Sequence, residues 1–127
     1  MKKTVIITGG NKGIGLAISK VFANDGYAVF GGAREDTKEL QALGGDVTFV
    51  KTNVKSEVDH QNLVKAALNK TGRLDTYINN AGYSAWRSIA NIDEDFLSNV
   101  LDTNLKGVFW GCKSALAVMK SGANIVN

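Results

Sequence analysis

The sequence has no proline, one cysteine and one histidine among its 127 residues. Cys112 has no second cysteine with which to form an internal disulfide, and together with His60 it falls short of the ligands that a structural metal site needs. We therefore expect neither a bound metal nor a disulfide framework. Glycine, with 14 residues, must supply the turns that proline does not.

Strong net charge and long apolar runs are also lacking. The 15 Lys and Arg residues exceed the 12 Asp and Glu residues by a formal charge of +3, and they are dispersed instead of forming the basic face of a nucleic-acid-binding protein. The apolar run over residues 5–8 is far too short to cross a bilayer, and no signal-peptide cleavage site follows it. These features predict a cytoplasmic protein that binds neither nucleic acid nor membranes.

Strand and helix patterns alternate along the chain, and 44% of its residues are hydrophobic. A β-branched block within residues 3–8 is typical of a strand buried on both faces, and apolar residues spaced by three and four then indicate a helix that ends near Gly26. Further strands are predicted over residues 27–31, 47–54, 74–79 and 124–127, and further helices over residues 37–43, 57–71 (with Ser56 as N-cap) and 93–120. Such alternation implies parallel strands joined by right-handed crossovers, so we predict one doubly wound α/β domain over residues 1–127.

A glycine-rich turn, TGGNKGIG, lies between the first strand and the first helix, where a phosphate-binding loop is expected. Gly9 allows a sharp turn, Gly13 removes a side chain where a pyrophosphate would approach the backbone, and Gly15 lets the helix pack close to the sheet. The first amides of the helix then point at the anion, which the helix dipole favours. The spacing alone leaves open a tight strand–helix turn that binds no ligand.

Three motifs, in this order, resemble those of the short-chain dehydrogenases/reductases. The glycine-rich turn matches their TGxxxGxG loop, the NNAG of residues 79–82 matches their second hallmark, and Asn104 in DTNLKG matches their catalytic asparagine. The resemblance covers the whole chain but only the first half of a family member. It implies a Rossmann-like parallel sheet with strand order 3-2-1-4-5, truncated after the fifth strand. It also implies hydride transfer between a nicotinamide and an alcohol or carbonyl group.

The resemblance further implies a dinucleotide cofactor and the residues that bind it. These residues are Gly9, Asn11, Lys12, Gly13, Ile14, Gly15, Arg34, Asn53, Val54, Asn80, Ala81 and Gly82. Ala33 stands where NAD-preferring members carry Asp, and it is followed by Arg34. Because Arg34 and Lys12 could together hold a 2′-phosphate, NADP(H) is favoured over NAD(H). In the alternative, both are ordinary surface cations, with Glu35 and Asp36 close enough to neutralise Arg34.

Asn53 and Val54 match the Asp-Val step that binds the adenine ring in relatives. The Asn53 carbonyl can still accept a hydrogen bond from the adenine amino group, although an amide replaces the acid. Asn80 and Gly82 would shape the floor under the cofactor, and the alternative is that NNAG only closes a hydrogen-bonded strand end.

The acid/base residues of the family are not found in this sequence. In relatives, a Tyr and a Lys four residues apart, together with a Ser, supply this chemistry. None of Tyr27, Tyr77 and Tyr83 is followed four residues later by Lys, and Arg87 is a poor substitute beside Tyr83 because it stays charged. Only Asn104 is present, and its alternative role is that of a helix-bending or satisfied core amide. We therefore expect that the chain alone cannot act as a dehydrogenase. The alternative function is that of a non-catalytic dinucleotide-binding or self-associating interaction module.

The last predicted helix and strand favour self-association. The helix carries an apolar band broader than one sheet contact needs, and Gly107, Gly111 and Ala115 form a stripe along which a second helix could approach. The fifth strand is expected at an exposed sheet edge. In relatives this helix packs against its counterpart across a subunit interface, so a second copy or a complementary half is the expected partner.

Overall fold

A computed structural model describes residues 2–127, which form a five-stranded sheet flanked by helices. The strands are Thr4–Thr8 (β1), Ala28–Ala33 (β2), Val47–Lys51 (β3), Thr76–Ile78 (β4) and Asn124–Val126 (β5). The α-helices are Gly13–Asn24 (α1), Lys38–Gln41 (α2), Glu57–Thr71 (α3), Glu94–Leu101 (α4) and Gly107–Leu116 (α5). A short 3₁₀ turn, Ile89–Asn91, precedes α4, and a π-helical turn, Asp102–Lys106, joins α4 to α5. Over residues 2–127, no helix has both the length and the apolarity to cross a membrane.

All neighbouring strands are parallel, and their order is β3-β2-β1-β4-β5, which confirms the predicted fold. The β-branched β1 is buried along its whole length at the centre of the sheet. Its Ile6 pairs with Phe30 and Tyr77 on the face that α3 covers, whereas Val5 and Ile7 belong to the core on the opposite face. Because the strands are parallel, their carboxyl ends meet at one edge, where ligands bind in open α/β sheets.

Side-chain caps and a glycine fix the ends of the crossover helices. The predicted cap Ser56 accepts a hydrogen bond from the Asp59 N–H at the start of α3. Gly72 ends that helix at φ +75°, a left-handed conformation that other residues rarely adopt. These local interactions explain why the extent of α3 could be predicted from the sequence.

Several element boundaries differ from the prediction. β2 runs on to Ala33, because its ladder with β3 continues to the pair Ala33 and Lys51. β3 ends at Lys51, so Val54 lies in the loop that follows it. β4 is shorter than predicted because only residues 76–78 pair with both neighbouring strands. α2 is confined to residues 38–41, since Thr37 caps its first turn and Ala42 ends it.

The long helix predicted over residues 93–120 is not a regular α-helix. It contains the π-helical turn, in which the Gly107 N–H donates to the Asp102 carbonyl five residues earlier. One inserted residue rotates α5 relative to α4 by about 100°. The helix also ends at Leu116, before a turn in which Gly122 has φ +93°.

The predicted stripe of small residues on this helix is buried within its own chain, where α5 packs against α3 and the sheet. Gly107, Gly111 and Ala115 are all buried, and Ala115 belongs to the core cluster between α3 and the sheet. A Cβ at Gly107 would lie 3.1 Å from the Val54 carbonyl oxygen, and one at Gly111 would lie 2.1 Å from Asn79 Oδ1. The stripe therefore packs against α3 and against groups that follow β3 and β4. It is not open to a helix of a second copy, and this part of the prediction was wrong.

Candidate functional site

A cleft of about 510 Å³ opens at the carboxyl edge of the sheet, a volume typical of small-molecule sites. The predicted residues in its wall are Gly9, Asn11, Lys12, Arg34, Asn53, Val54, Asn80, Ala81 and Gly82. The wall also contains residues that were not predicted to bind a cofactor, namely Gly32, Ala33, Glu35, Thr52, Lys55, Tyr83, Asn99 and Thr103. Five of these eight lie at the end of β2 or in the segments that follow β2 and β3. Asn99 and Thr103 stand one helical turn apart, a spacing that could have placed them on one face.

The glycine-rich turn has two structural tasks. A Cβ at Gly15 would lie 1.9 Å from the Gly9 carbonyl oxygen, so this residue lets α1 pack against the turn. Gly13 has φ +57° and no atom within 4 Å of where its Cβ would lie, so the space above it is open. Gly13, Ile14 and Gly15 do not belong to the cleft wall, and Ile14 is 76% exposed.

The N-terminus of α1 lacks a side-chain cap. Lys12 is its N-cap residue, its side chain makes no capping hydrogen bond, and no acidic residue stands in the first turn of α1. By contrast, Thr37, Ser56 and Asp93 cap α2, α3 and α4. The first N–H groups of α1 are therefore left without a side-chain acceptor, in the turn beside the cleft.

Hydrogen bonds brace the turn from its buried side. The Ser19 hydroxyl donates to the Gly10 carbonyl, 2.9 Å away. Asn11 Nδ2 donates to the Glu35 carbonyl at 2.9 Å, and the Thr37 hydroxyl donates to the Asn11 carbonyl at 2.7 Å. These bonds join the glycine-rich turn to the segment after β2.

Asn80 and the neighbouring NNAG backbone form the other side of the turn. The Thr8 hydroxyl oxygen accepts from the N–H groups of Asn80 and Ala81, each at 3.1 Å. Asn80 Nδ2 donates to the Thr8 carbonyl at 3.1 Å. NNAG thus closes a hydrogen-bonded strand end, and its residues 80–82 also lie in the cleft wall, so the two alternatives raised by the sequence are compatible.

Basic side chains line the cleft beyond β2. Arg34 directly follows the last strand residue, Ala33, and both it and Lys12 are exposed. No carboxylate within residues 2–127 forms a salt bridge with Arg34. The Asp36 carboxylate instead accepts from the Thr37 N–H and from Gln41. Neutralisation of Arg34 by an ion pair, which the alternative interpretation included, is therefore not observed within the described residues.

The loop after β3 is fixed by polar contacts. The Asn53 N–H donates to the Asp59 carboxylate at 2.8 Å, and Asn53 Oδ1 accepts from the Lys55 N–H at 3.1 Å. Lys55 Nζ reaches Asn99 Oδ1 on α4 at 3.1 Å. An amide oxygen has two lone pairs, so Asn53 Oδ1 retains acceptor capacity.

His60 is fully buried behind this loop. Its Nε2 lies 2.9 Å from the Val54 carbonyl oxygen, and its Nδ1 lies 2.6 Å from the Tyr77 hydroxyl. Since a carbonyl only accepts, Nε2 carries the proton and Nδ1 accepts from Tyr77. Burial lowers the pKa of His60 below 6.5, against smaller opposing effects of the Val54 bond and Asp59, and burial raises the pKa of Tyr77. The ring is therefore neutral at pH 7.

Burial of neutral His60 predicts a specific pH dependence of stability. Because the pKa of His60 is lower in the folded than in the unfolded protein, the unfolded state takes up the proton first as the pH falls below 6.5. The free energy of unfolding should fall from there to the folded-state pKa, by at most about 1.4 kcal/mol per pH unit. Asp46 and Asp75 have lowered pKa values, so they contribute to the pH dependence of the free energy of unfolding only near or below pH 3.8. Urea unfolding should show the decline in the native chain and not in His60→Gln; an identical decline in both would contradict it.

The Asn104 amide bonds to the backbone of Tyr83. Its Oδ1 accepts from the Tyr83 N–H and its Nδ2 donates to the Tyr83 carbonyl, both at 2.8 Å. Gly82 lies against the same amide, since its Cβ would be 3.3 Å from Asn104 Oδ1. Asn104 thus ties the π-helical turn to the loop after NNAG.

Replacing Asn104 with aspartate should loosen this loop. The carboxylate has nearly the same shape but cannot donate to the Tyr83 carbonyl. We expect a loss of about 1 kcal/mol at neutral pH, or roughly 4 °C in Tm. The difference from the native chain should disappear when the new carboxyl is protonated below about pH 4. Calorimetry at neutral and acidic pH measures both effects. Asn62→Asp, at an exposed position in α3, is the control, and an equal loss there would show that Asn104 makes no special contact.

Arg87 and Tyr83 do not form an acid/base pair with each other. The Arg87 guanidinium lies over the Phe96 ring, 4.8 Å from its centroid. The Tyr83 ring packs edge-on against the same Phe96, with centroids 6.1 Å apart. Both side chains therefore anchor the loop to α4.

Comparisons with known proteins agree with this architecture. Residues 3–127 match the family model described as short chain dehydrogenase. An uncharacterised oxidoreductase of Methylorubrum extorquens is 33% identical over 98% of this chain and 53% of its own length. A 3-oxoacyl-(acyl-carrier-protein) reductase of Chlamydia pneumoniae is 33% identical over 92% of this chain and 50% of its own. A mutant short-chain dehydrogenase/reductase of Serratia marcescens superposes with a TM-score of 0.88 at 29% identity, covering 98% of this chain and 53% of that one. The chain therefore spans about half the length of these relatives.

Proposed function

The chain belongs to the short-chain dehydrogenase family, and on this premise we propose that residues 1–127 are the dinucleotide-binding domain of an oxidoreductase. The uncapped N-terminus of α1 is the observation that carries the proposal. Its free N–H groups and positive dipole end suit a diphosphate. The open space above Gly13 lets an anion approach the backbone without a clash. The residues present therefore fit a dinucleotide.

We propose NADP(H) as the preferred cofactor. Arg34 and Lys12 lie in the cleft wall, and Arg34 is free of salt bridges within the described chain. A guanidinium and an ammonium group suit a phosphate monoester. Ala33 offers no carboxylate for the ribose hydroxyls that NAD(H) presents there. The relative from Chlamydia pneumoniae, whose name describes a reductase of a carbonyl substrate, is consistent with a reductive role.

The chemistry of the whole protein would be hydride transfer to or from an alcohol or carbonyl group. A bound nicotinamide would supply or accept the hydride. Asn53 and Val54 would face the adenine, the NNAG backbone would form the floor of the cleft, and Asn104 would position the loop at Tyr83. The tyrosines of residues 1–127 have no lysine four positions later, so we propose that this 127-residue chain alone binds the cofactor without catalysing the reaction.

Equilibrium titration tests this function. NADPH should quench the fluorescence of Trp86 and Trp110 in a saturable manner. The 127-residue chain should not oxidise NADPH in the presence of small aldehydes or ketones. Absence of binding at millimolar NADPH would leave only the interaction module. Carbonyl-dependent oxidation of NADPH would contradict the proposed inactivity.

We further propose that the outer face of α4 and α5 pairs with a second copy of the chain. Large apolar side chains recur along it about every four residues, and each is 44–67% exposed. They are Leu97, Leu101, Leu105, Phe109 and Leu116. Such a patch marks an interaction surface, and a single helix face can be complementary to itself across a two-fold axis.

Charge placed in this patch should prevent association. The interface of a two-fold dimer contains two copies of each leucine, so the substitution changes both. Leu101→Lys should therefore raise the dimer dissociation constant about hundredfold or more. Sedimentation equilibrium measures this, with Val58→Lys, an exposed position on α3, as the control. A native chain that is monomeric at high concentration would contradict self-association.

A further inference from the structure

The peptide groups around Val54 are fixed so that a hydrogen-bond donor remains free. The Asn53 carbonyl accepts from the Ser56 N–H at 2.9 Å. Because this peptide bond is trans, the Val54 N–H points the opposite way. It makes no hydrogen bond within the residues that the structure describes. Val54 lies in the cleft wall, so its unpaired backbone donor is a candidate contact for a ligand bound there.

The next peptide group is held by His60. The Val54 carbonyl oxygen accepts from His60 Nε2 on one side. On the other side is Gly107, where an added Cβ would come within 3.1 Å of that oxygen. Tyr77 donates to the second imidazole nitrogen at 2.6 Å and thereby fixes the ring. Residues of α3, β4 and α5 together therefore hold the Val54 carbonyl in place.

The donor lies beside an acceptor from the neighbouring residue. Asn53 Oδ1 accepts from the Lys55 N–H and retains a second lone pair. A donor next to an acceptor complements the edge of adenine, which has a ring-nitrogen acceptor next to an amino donor. Hypoxanthine reverses this pattern, with an N–H donor next to a carbonyl acceptor. The geometry of the segment over residues 53–54 is therefore suited to discriminate between the two purines.

We propose that His60, through its bond to the Val54 carbonyl, is a positioning residue that determines which purine base the cleft accepts. This inference rests on the proposed dinucleotide-binding function. His60 is fully buried and lies outside the cleft wall, so it acts by holding Val54. The Nε2–H group of His60 donates to the Val54 carbonyl and so holds it. Tyr77 keeps the ring in this orientation by donating to Nδ1.

Two amide substitutions test the two ring nitrogens of His60 separately. His60→Gln places a side-chain N–H near the position of Nε2 and keeps a donor for Val54. His60→Asn ends near Nδ1, so it can still bond with Tyr77 but cannot reach Val54. The probes are NADPH and its deaminated analogue, in which hypoxanthine replaces adenine. The measured quantity is the ratio of their dissociation constants, together with the Tm of each variant.

The native chain should bind NADPH at least about tenfold more tightly than the analogue. His60→Gln should keep this ratio, whereas His60→Asn should reduce it to about twofold. A purely structural role would lower the Tm and leave the ratio unchanged. Should His60→Asn fail to fold, Tyr77→Phe removes only the hydroxyl and should lower the ratio about threefold.

An unchanged ratio in His60→Asn, or in Tyr77→Phe where that variant is needed, overturns the inference. So does an equal fall in the Gln and Asn variants, or a native chain that binds both bases equally. A native chain that binds neither compound overturns the proposed function, and the inference with it. The two failures are therefore distinguishable.

Discussion

Gly15→Ala is expected to lower the free energy of unfolding by about 3 kcal/mol and to abolish dinucleotide binding. The new Cβ would lie 1.9 Å from the Gly9 carbonyl oxygen and 2.6 Å from Asn80 Nδ2. Neither is the end of a flexible side chain, because Asn80 is itself bonded to the Thr8 carbonyl. Either α1 must move away from the sheet or the turn must open. Urea unfolding followed by circular dichroism, and a parallel NADPH titration, measure the two effects.

Gly13→Ala is the matched control. Its Cβ meets no atom within 4 Å, but its φ is +57°, so its free energy of unfolding should fall only by the cost of the left-handed conformation, about 1–2 kcal/mol. Gly13→Ala is a control for stability and not for binding, because its methyl group would lie where the diphosphate approaches. Helix propensity alone would favour alanine at Gly15 by about 1 kcal/mol. A Gly15→Ala chain as stable as the native one would contradict the close packing of α1 on the turn.

Arg34→Ala is expected to raise the dissociation constant of NADPH about tenfold and to leave that of NADH within about twofold. Loss of one charge-assisted contact to the 2′-phosphate accounts for about 1.4 kcal/mol. Adding Lys12→Ala should bring the total to about thirtyfold. Because both side chains are exposed, added salt should reduce the preference for NADPH in the native chain. Isothermal titration with the two cofactors measures the ratio.

Lys38→Ala provides the control for charge alone. Lys38 is exposed on α2 and lies outside the cleft wall, so its removal should alter neither cofactor's affinity. Equal losses of NADPH and NADH affinity in Arg34→Ala would mean that Arg34 does not contact the 2′-phosphate. If Lys38→Ala lost as much NADPH affinity as Arg34→Ala, the effect would be explained by net charge alone.

The sheet order could be predicted because its determinants are local. The β-branched β1 can be buried on both faces, and glycines such as Gly26 and Gly72 end the intervening helices in left-handed conformations. Alternation of the elements and the handedness of crossovers then leave few topologies. The strand ends were less predictable because they depend on partners: Ala33 belongs to β2 only because Lys51 pairs with it.

The π-helical turn could not be predicted from helical periodicity. It is associated with a contact between residues 21 positions apart, Asn104 and Tyr83, and with the seating of Gly107 beside Val54. The small-residue stripe was misinterpreted for a related reason. Spacing alone indicates that glycines lie on one face but does not tell whether that face packs within its own chain or against another copy.

The motifs identified most of the cleft wall, and the sequence could not identify what holds it in place. Gly9, Asn80 and Arg34 meet at one edge because each follows a parallel strand. His60 gave no motif, and a lone histidine in a helix is usually a core residue. Its contact with Val54 depends on the packing of α3 against β4, which brings the Tyr77 hydroxyl to its other nitrogen.

Amide NMR during titration with NADPH tests the central claim most directly, since it observes each backbone N–H separately. The largest and saturable shifts are expected for Gly13, Ile14 and Gly15 at the start of α1, with smaller shifts at Arg34 and Val54. Titration with 2′,5′-ADP should shift the same amides, because it carries the adenosine, the 2′-phosphate and the 5′-phosphate that is the adenosine side of the diphosphate. Saturable binding that leaves the amides of the first turn of α1 unshifted would contradict the claim that this helix end binds the diphosphate.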